Sequence, residues 1–286
     1  MNELSIISVD ERLSEDVGLK IVVAGVSGVG KTSLLWTLPA DETLMMDLEA
    51  GTLSIEGWSG DMIRPKTWQQ SRDFACMFGG PNPSLKNTMP YSEAHYQALK
   101  ESYKLLDLEK YKTIFVDSIT IAARLCFSWC QNQEENISTR SGKIDTRAVY
   151  GMHGREMIAW LTQLQHIRNK NVIFVGILEE KTDDFNRTTY GLQMEGAKTS
   201  RELPGIVDEI ITMAVMEDGN NEPYRAFVCT TLNPYGYPAK DRSGRLQTIE
   251  EPHLGRLMQK MVTQRSTPLS EKTLNHNLPQ EEKEND

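Results

Sequence analysis

The chain has 286 residues, of which 39% are hydrophobic, and these values are enough for a globular protein with one large α/β domain, with or without a small appendage. The formal net charge of −9 gives no general indication of nucleic-acid binding. No apolar run approaches the roughly 18 residues of a membrane-spanning helix, and the N-terminus lacks the basic start and apolar core of a secretion signal. We therefore expect a cytoplasmic protein.

Short apolar runs predict buried strands, and helical patterns follow most of them. The strands are predicted at residues 20–24, 43–47, 113–117 and 171–178. Helices are predicted from the glycine-rich loop to about residue 38, and at 92–108, 119–130, 149–167 and 251–262. Two further runs, at 207–216 and 224–231, flank the turn signal DGNN and predict a hairpin. Polar loops are predicted at 131–146 and 179–201, and residues 50–90 give no clear pattern.

The order of these elements predicts the fold class. Strands that alternate with helices are typical of α/β proteins with a mostly parallel sheet and helices on both faces. The late hairpin adds antiparallel strands at one edge. Ligands of such sheets bind at the carboxyl ends of the strands, which is where Gly25, Asp47, Asp117 and Leu178 fall.

The residues after the first strand form a phosphate-binding loop. The pattern G-x-x-x-x-G-K-[ST] is matched in full by Gly25, Val26, Ser27, Gly28, Val29, Gly30, Lys31 and Thr32, and Ser33 completes the predicted site. Glycines let successive backbone N–H groups turn towards phosphate oxygens, and a helix N-terminus favours negative charge. Lys31 would contact the β- and γ-phosphates, and the Thr32 hydroxyl would ligate Mg²⁺. The loop therefore predicts binding of a nucleoside triphosphate with Mg²⁺.

Two carboxylates near strand ends are candidates for further roles. Asp117 ends the third strand, which is expected beside the strand of the phosphate-binding loop, and would hold Mg²⁺, through water; alternatively, it caps the helix that follows. Glu49 lies just past the second strand and would orient or deprotonate the attacking water; alternatively, it is a loop acid that faces solvent. Ser118 stands where many ring-forming ATPases of the AAA+ kind carry Glu, which argues against that class.

The succession of strand, phosphate-binding loop and helix, then MMDLEAG at 45–51 and IFVDS at 114–118, resembles the ATPase core of RecA and of the DnaB helicases. More closely, the chain is similar to compact phage-encoded RecA-like ATP-binding proteins linked to single-strand annealing and recombination. The runs GAKTSRELPGIVDE at 196–209 and AKDRSG at 239–244 also resemble that group. The resemblance covers about residues 19–262 and implies a RecA-like P-loop NTPase fold.

The resemblance also implies roles for particular residues. Glu49 would be the catalytic base, and Asp117 the magnesium carboxylate. Lys240 and Arg242 would reach the γ-phosphate held by a neighbouring subunit of a ring or filament; alternatively, they form an exposed basic turn. One departure is Leu178-Glu179-Glu180, where RecA-like proteins usually place Gln, Asn or His to sense the γ-phosphate.

DNA contacts are implied at 131–146 and 179–201, although neither segment is strongly basic. Phe185 and Tyr190 would stack on bases of single-stranded DNA or pack onto the protein body. The implied function is an oligomeric ATPase of DNA recombination or single-strand annealing, of phage origin and acting in the host cytoplasm. Alternatives are a DNA-independent P-loop ATPase that serves as an assembly or packaging factor or as a nucleotide-regulated binding module, and a small-molecule kinase. No guanine-binding motif favours a GTPase.

The domain boundaries follow from composition. Residues 1–18 are predicted to be an N-terminal extension, 19–263 the RecA-like ATPase domain and 264–286 a disordered acidic tail. The tail is either an inert solubilising segment or a functional one, which docks a protein partner or mimics DNA. Cys126 and Cys130 lie four residues apart and are predicted to be reduced thiols without further zinc ligands nearby.

Overall fold

Ten strands form one sheet in the computed structural model, which describes residues 6–15, 17–103, 107–140, 142–182, 185–186 and 188–262. The strands are β1 Lys20–Gly25, β2 Thr43–Asp47, β3 Asp61–Ile63, β4 Thr113–Asp117, β5 Asn171–Thr182, β6 Thr188–Leu192, β7 Glu209–Glu217, β8 Pro223–Val228, β9 Lys240–Asp241 and β10 Ile249–Glu250. The predicted acidic tail, 264–286, lies outside the described residues.

The sheet is mostly parallel with an antiparallel edge. Its order is β10-β8-β7-β1-β5-β4-β2-β3, with β6 paired to β5 and β9 to β7. All neighbours from β7 to β3 run parallel, whereas β6, β8, β9 and β10 pair antiparallel. The predicted architecture, a mostly parallel sheet with flanking helices and an antiparallel edge hairpin, is confirmed.

The strand order corrects one expectation. The strand that ends in Asp117 was expected beside the strand of the phosphate-binding loop, but β5 lies between β4 and β1. An apolar run predicts that a strand is buried, but it contains no information about which strand is its neighbour.

Helices cover both faces of the sheet. The α-helices of the described residues are α1 Val9–Ser14, α2 Trp68–Gly79, α3 Glu93–Ser102, α4 Ile119–Gln131, α5 Thr146–Gln165, α6 Ala197–Ile206 and α7 Leu254–Val262. In β1, Val22 and Ala24 join an apolar cluster with α2 to α6, while Ile21 and Val23 join a second cluster with α7. Because both faces are covered, β1 is buried along its whole length, as its continuous apolar run predicts. None of the described helices is long and apolar enough to span a membrane.

The segment after the phosphate-binding loop differs from the prediction. It is a 3₁₀ helix at Thr32–Thr37 and not an α-helix. Leu38 is extended, as expected for a residue before proline, so the helix has room for only six residues. Short helical segments commonly adopt the 3₁₀ form. This segment is too short to add the dipole of a long α-helix to the binding of phosphate.

Two polar regions contain more structure than their sequences predicted. The expected loop at 179–201 is largely the β5–β6 hairpin, paired from Leu178–Leu192 to Thr182–Thr188, followed by the start of α6. Within the unassigned region 50–90, β3 adds the edge strand and α2 packs beside α5. Both regions lack the long apolar periodicity on which the prediction depended, because their strands are exposed or only three residues long.

Candidate nucleotide-binding site

The glycine-rich loop leaves β1 at the carboxyl edge of the sheet. Gly28 and Gly30 have φ angles of 80° and 103°, in the region that favours glycine. Gly25 meets a different constraint, because a Cβ there would lie 2.7 Å from the carbonyl oxygen of Met213 on β7. The glycines of the pattern are therefore explained by backbone conformation and by close packing between strands.

Lys31 lies within the curl of the loop. Its Nζ donates to the carbonyl oxygens of Gly25 at 2.9 Å and Val26 at 2.8 Å, and the residue is 7% exposed. Burial lowers the pKa of Lys31, and the negative charges of Asp117 and Glu49 oppose that shift. The ammonium group is thus held inside the loop, close enough to Asp117 and Glu49 for their negative charges to stabilise it.

Thr32 and Asp117 are in direct contact. The Thr32 hydroxyl donates to Asp117 Oδ2 at 2.6 Å, and Asp117 is 2% exposed. Burial raises the pKa of Asp117 to about 6; the Thr32 hydrogen bond and the charge of Lys31 oppose this rise, and Glu49 and Asp47 add to it. A hydroxyl and a carboxylate side by side are the oxygen ligands that Mg²⁺ prefers.

The alternative role of Asp117, as the cap of the following helix, is wrong, because the next residue, Ser118, is the cap. Ser118 is the N-cap of α4, and its hydroxyl oxygen accepts from the N–H of Ile121. The same hydroxyl donates to Glu49 Oε1 at 2.5 Å. Glu49 is exposed, yet its carboxylate is held against the end of β4. The loop after β2 is fixed there a second time, because the N–H of Leu48 donates to the carbonyl oxygen of Asp117 at 2.7 Å.

Asp47 and Arg64 form a contact that the sequence did not predict. Asp47 is 2% exposed, and its carboxylate accepts from the backbone N–H of Ala50 and from Arg64 Nε, both at 2.8 Å. Arg64 directly follows β3, so it reaches the same sheet edge as the phosphate-binding loop. The only available signal was a basic residue after a three-residue strand within the unassigned region.

Lys240 and Arg242 lie at the opposite edge of the sheet. Glu209 pairs with Asp241 of β9 and also with Ile21, near the start of β1. Lys240 Nζ donates to the carbonyl oxygens of Pro204 and Val207, each at 2.6 Å. Arg242 forms a 2.7 Å ion pair with Asp208. The fold does not bring either residue to the phosphate-binding loop of its own chain, so a role across a subunit interface stays a prediction.

The two aromatic candidates for base stacking have different surroundings. Tyr190 packs against Tyr235, with ring centroids 5.0 Å apart, whereas Phe185 at the hairpin tip is 79% exposed. At the base of the hairpin, Glu179 forms a 3.0 Å ion pair with Lys181. The hairpin starts beside the end of β1, because Ile177 pairs with Gly25, and it extends past the carboxyl edge.

The cysteines are free thiols. Cys126 and Cys130 are both buried on α4, and Cys76 and Cys229 are also unpaired. No cluster of three His, Cys, Asp or Glu side chains that could hold a metal occurs among the described residues.

Fold and loop together define a P-loop protein of the α/β class. A protein-family model described as "AAA domain" matches residues 17–243, and the chain belongs to that family. Ser118, in place of the Glu that many AAA+ ATPases carry, argued against that class, and the match to an AAA domain model does not support that argument. No curated protein matches the sequence. Among solved structures, the crystal structure of the RadB recombinase is similar at a TM-score of 0.34 and 13% identity, covering 75% of this chain and 81% of that chain.

Proposed function

We propose that the protein is a RecA-like ATPase that binds ATP with Mg²⁺ and hydrolyses it. The observation that supports this proposal best is the convergence of Lys31, Thr32, Asp117 and Glu49 at one end of the phosphate-binding loop. These four side chains have the chemistry that nucleotide hydrolysis needs, and the membership of the chain in the AAA domain family agrees with such a reaction.

Each of the four side chains has a separate role in the proposed reaction. Lys31 would exchange its two carbonyl partners for oxygens of the β- and γ-phosphates. The Thr32 hydroxyl and the Asp117 carboxylate would hold Mg²⁺, which supplies positive charge to the phosphate oxygens. Glu49, exposed to water and oriented by Ser118, would accept the proton of the attacking water.

We further propose that this activity serves DNA recombination or single-strand annealing in an oligomer, and that the protein is of phage origin. The resemblance of MMDLEAG and IFVDS to the RecA and DnaB cores supports the recombination role, and the resemblance of residues 196–209 and 239–244 to the phage-encoded group supports the phage origin. The β5–β6 hairpin supports the recombination role from the geometry, because it starts beside the end of β1 and carries the exposed Phe185 beyond the carboxyl edge of the sheet. Stacking on an aromatic side chain contributes about 1–3 kcal/mol per base.

The test is ATP hydrolysis by the purified protein with and without single-stranded DNA. Lys31→Ala serves as the blank, and Arg168→Ala serves as a control because Arg168 precedes β5 at the opposite sheet edge. We expect DNA to stimulate wild-type hydrolysis and Phe185→Ala to need about tenfold more DNA for the same stimulation. Hydrolysis that DNA leaves unchanged, with no DNA binding in the presence of ATP, would contradict the DNA role.

A DNA-independent P-loop ATPase, acting as an assembly or packaging factor or as a nucleotide-regulated binding module, is the second candidate. It is favoured by the acidic base of the hairpin, where Glu179 neutralises Lys181 and Glu180 adds a further negative charge. Hydrolysis without any DNA effect would select this candidate.

A further inference from the structure

Arg225 of β8 lies against the phosphate-binding loop of its own chain. A Cβ added to Gly30 would be 3.5 Å from Arg225 Nε and 3.7 Å from its Cδ. Arg225 is exposed, and it forms no ion pair with any carboxylate of the described residues. An arginine that has no carboxylate partner among the described residues and lies beside an anion-binding loop is placed to bind an anion.

The sheet explains how Arg225 reaches this position. Thr212 of β7 is level with Ala24 of β1, so the rest of β7 extends past the strand that leads into the loop. Val215, three residues further along β7, pairs with Arg225 on β8. Because β1 ends one residue past Ala24, at Gly25, the pair of Val215 and Arg225 lies roughly 7 Å beyond the end of β1 and reaches the level of the loop.

Arg225 and the proposed catalytic groups approach the loop from opposite sides. β1 lies between β5 and β7, with β4 beyond β5 and β8 beyond β7. Asp117 and Glu49 act from the β4 side, where they mark the γ-phosphate end of the site. Arg225 acts from the β8 side, next to Gly30, and so faces the part of the nucleotide away from the γ-phosphate.

We propose that Arg225 is a phosphate-binding residue that contacts the nucleotide's phosphate chain in cis, at its α- and β-phosphates. The guanidinium group suits this role because its N–H donors match two phosphate oxygens at once. This inference rests on the proposed nucleotide site and adds a residue to it. It differs from the roles implied for Lys240 and Arg242, which would need a neighbouring subunit.

The experiment is equilibrium binding of ATP and of ADP, each with Mg²⁺, at several protein concentrations. The variants are Arg225→Gln and Arg225→Lys, with Arg168→Ala as the matched arginine control and Lys31→Ala as the blank. We expect Arg225→Gln to raise the Kd for ATP and ADP alike by about tenfold or more, independently of protein concentration. Arg225→Lys should recover part of the affinity, because it keeps the charge but not the planar donor pair. Thermal unfolding of each variant checks that the exposed substitution leaves the fold intact.

The outcomes separate this inference from the proposed function. Unchanged Kd values in Arg225→Gln, while Lys31→Ala loses binding, would overturn the role of Arg225 alone. A loss confined to ATP would overturn the assignment to the α- and β-phosphates. A wild-type protein that binds neither nucleotide would overturn the nucleotide site itself.

Discussion

The Thr32 hydroxyl donates a 2.6 Å hydrogen bond to Asp117 Oδ2, although β5 separates the strands from which the two residues extend. Parallel strands bring their carboxyl ends to one edge, so a loop after β1 can cross the end of β5 and meet the end of β4. This contact places two oxygen ligands next to Lys31 and is the structural basis of the proposed Mg²⁺ site.

Asp117→Asn should separate metal use from nucleotide binding. The amide keeps the size and the contact to Thr32 but removes the negative charge that Mg²⁺ requires. We expect hydrolysis to fall by about 10²-fold, with a smaller loss of nucleotide affinity measured without Mg²⁺. The measurement is phosphate release against Mg²⁺ concentration, and a wild-type Mg²⁺ dependence in the variant would argue against Asp117 as the ligand.

Glu49→Gln should abolish most hydrolysis while the protein still binds ATP. Loss of a general base typically lowers kcat by about 10²- to 10⁴-fold. Ser118→Ala should give a smaller loss, because Ser118 orients Glu49 through its 2.5 Å hydrogen bond but does not itself accept the proton of water. Steady-state kinetics together with ATP binding measure both effects. Hydrolysis that survives in Glu49→Gln would assign the base elsewhere.

Asp47→Ala should lower both stability and kcat. The substitution removes the acceptor of two hydrogen bonds, from the N–H of Ala50 and from Arg64 Nε, at a net cost of about 1–2 kcal/mol, because both donors are exposed and can bond to water instead. The loop that carries Glu49 then loses an anchor. Arg64→Ala is the comparison: the Arg64 side chain is 55% exposed, but its removal leaves the fully buried Asp47 carboxylate without its ion-pair partner, which should cost about 2–4 kcal/mol. Urea unfolding in which Arg64→Ala is the less destabilised variant would contradict this account.

Glu209→Gln should change how stability depends on pH. Burial raises the pKa of Glu209 from 4.5 to about 8, the Ser243 N–H opposes the shift, and Asp241 and Asp208 add to it. Between these two values the folded protein holds a proton that the unfolded chain releases, so the wild type loses stability as pH rises.

Glutamine cannot ionise, so the variant should gain stability relative to the wild type between pH 5 and pH 8, values that bracket most of this window. Thermal unfolding of both proteins at the two pH values measures the difference. The same difference at both values would show that Glu209 titrates normally.

Substitutions of Lys240 and Arg242 should differ in how much they lower the stability of the fold. Lys240→Ala should cost about 1–3 kcal/mol of stability, because the carbonyl oxygens of Pro204 and Val207 lose their donor. Arg242→Ala removes only an ion pair whose arginine is 57% exposed, and should cost less than about 1 kcal/mol. If Arg242 acts in trans, mixing Arg242→Ala with Lys31→Ala should restore some hydrolysis. If mixing restores no hydrolysis, Arg242 does not act across a subunit interface.

Some features of the fold and of the site could be predicted from the sequence, and others could not. β2 and β4 were predicted to the residue, because buried parallel strands are continuous apolar runs with sharp ends. The hairpin around Phe185 and the edge strand β3 were missed, because exposed or very short strands have no such run. The meeting of Thr32 with Asp117 followed from the shared sheet edge. Arg64 and Arg225 could not be predicted, because their contacts depend on which strands are neighbours.

The most direct test of the central claim is Mg²⁺-dependent release of phosphate from ATP by the wild-type protein, compared with Lys31→Ala prepared in parallel. The account predicts hydrolysis that requires Mg²⁺ and is lost in Lys31→Ala, while Arg168→Ala retains the wild-type rate. Equal phosphate release by wild type and Lys31→Ala, or none by either protein under conditions in which ATP binds, would contradict the assignment of this loop to ATP hydrolysis.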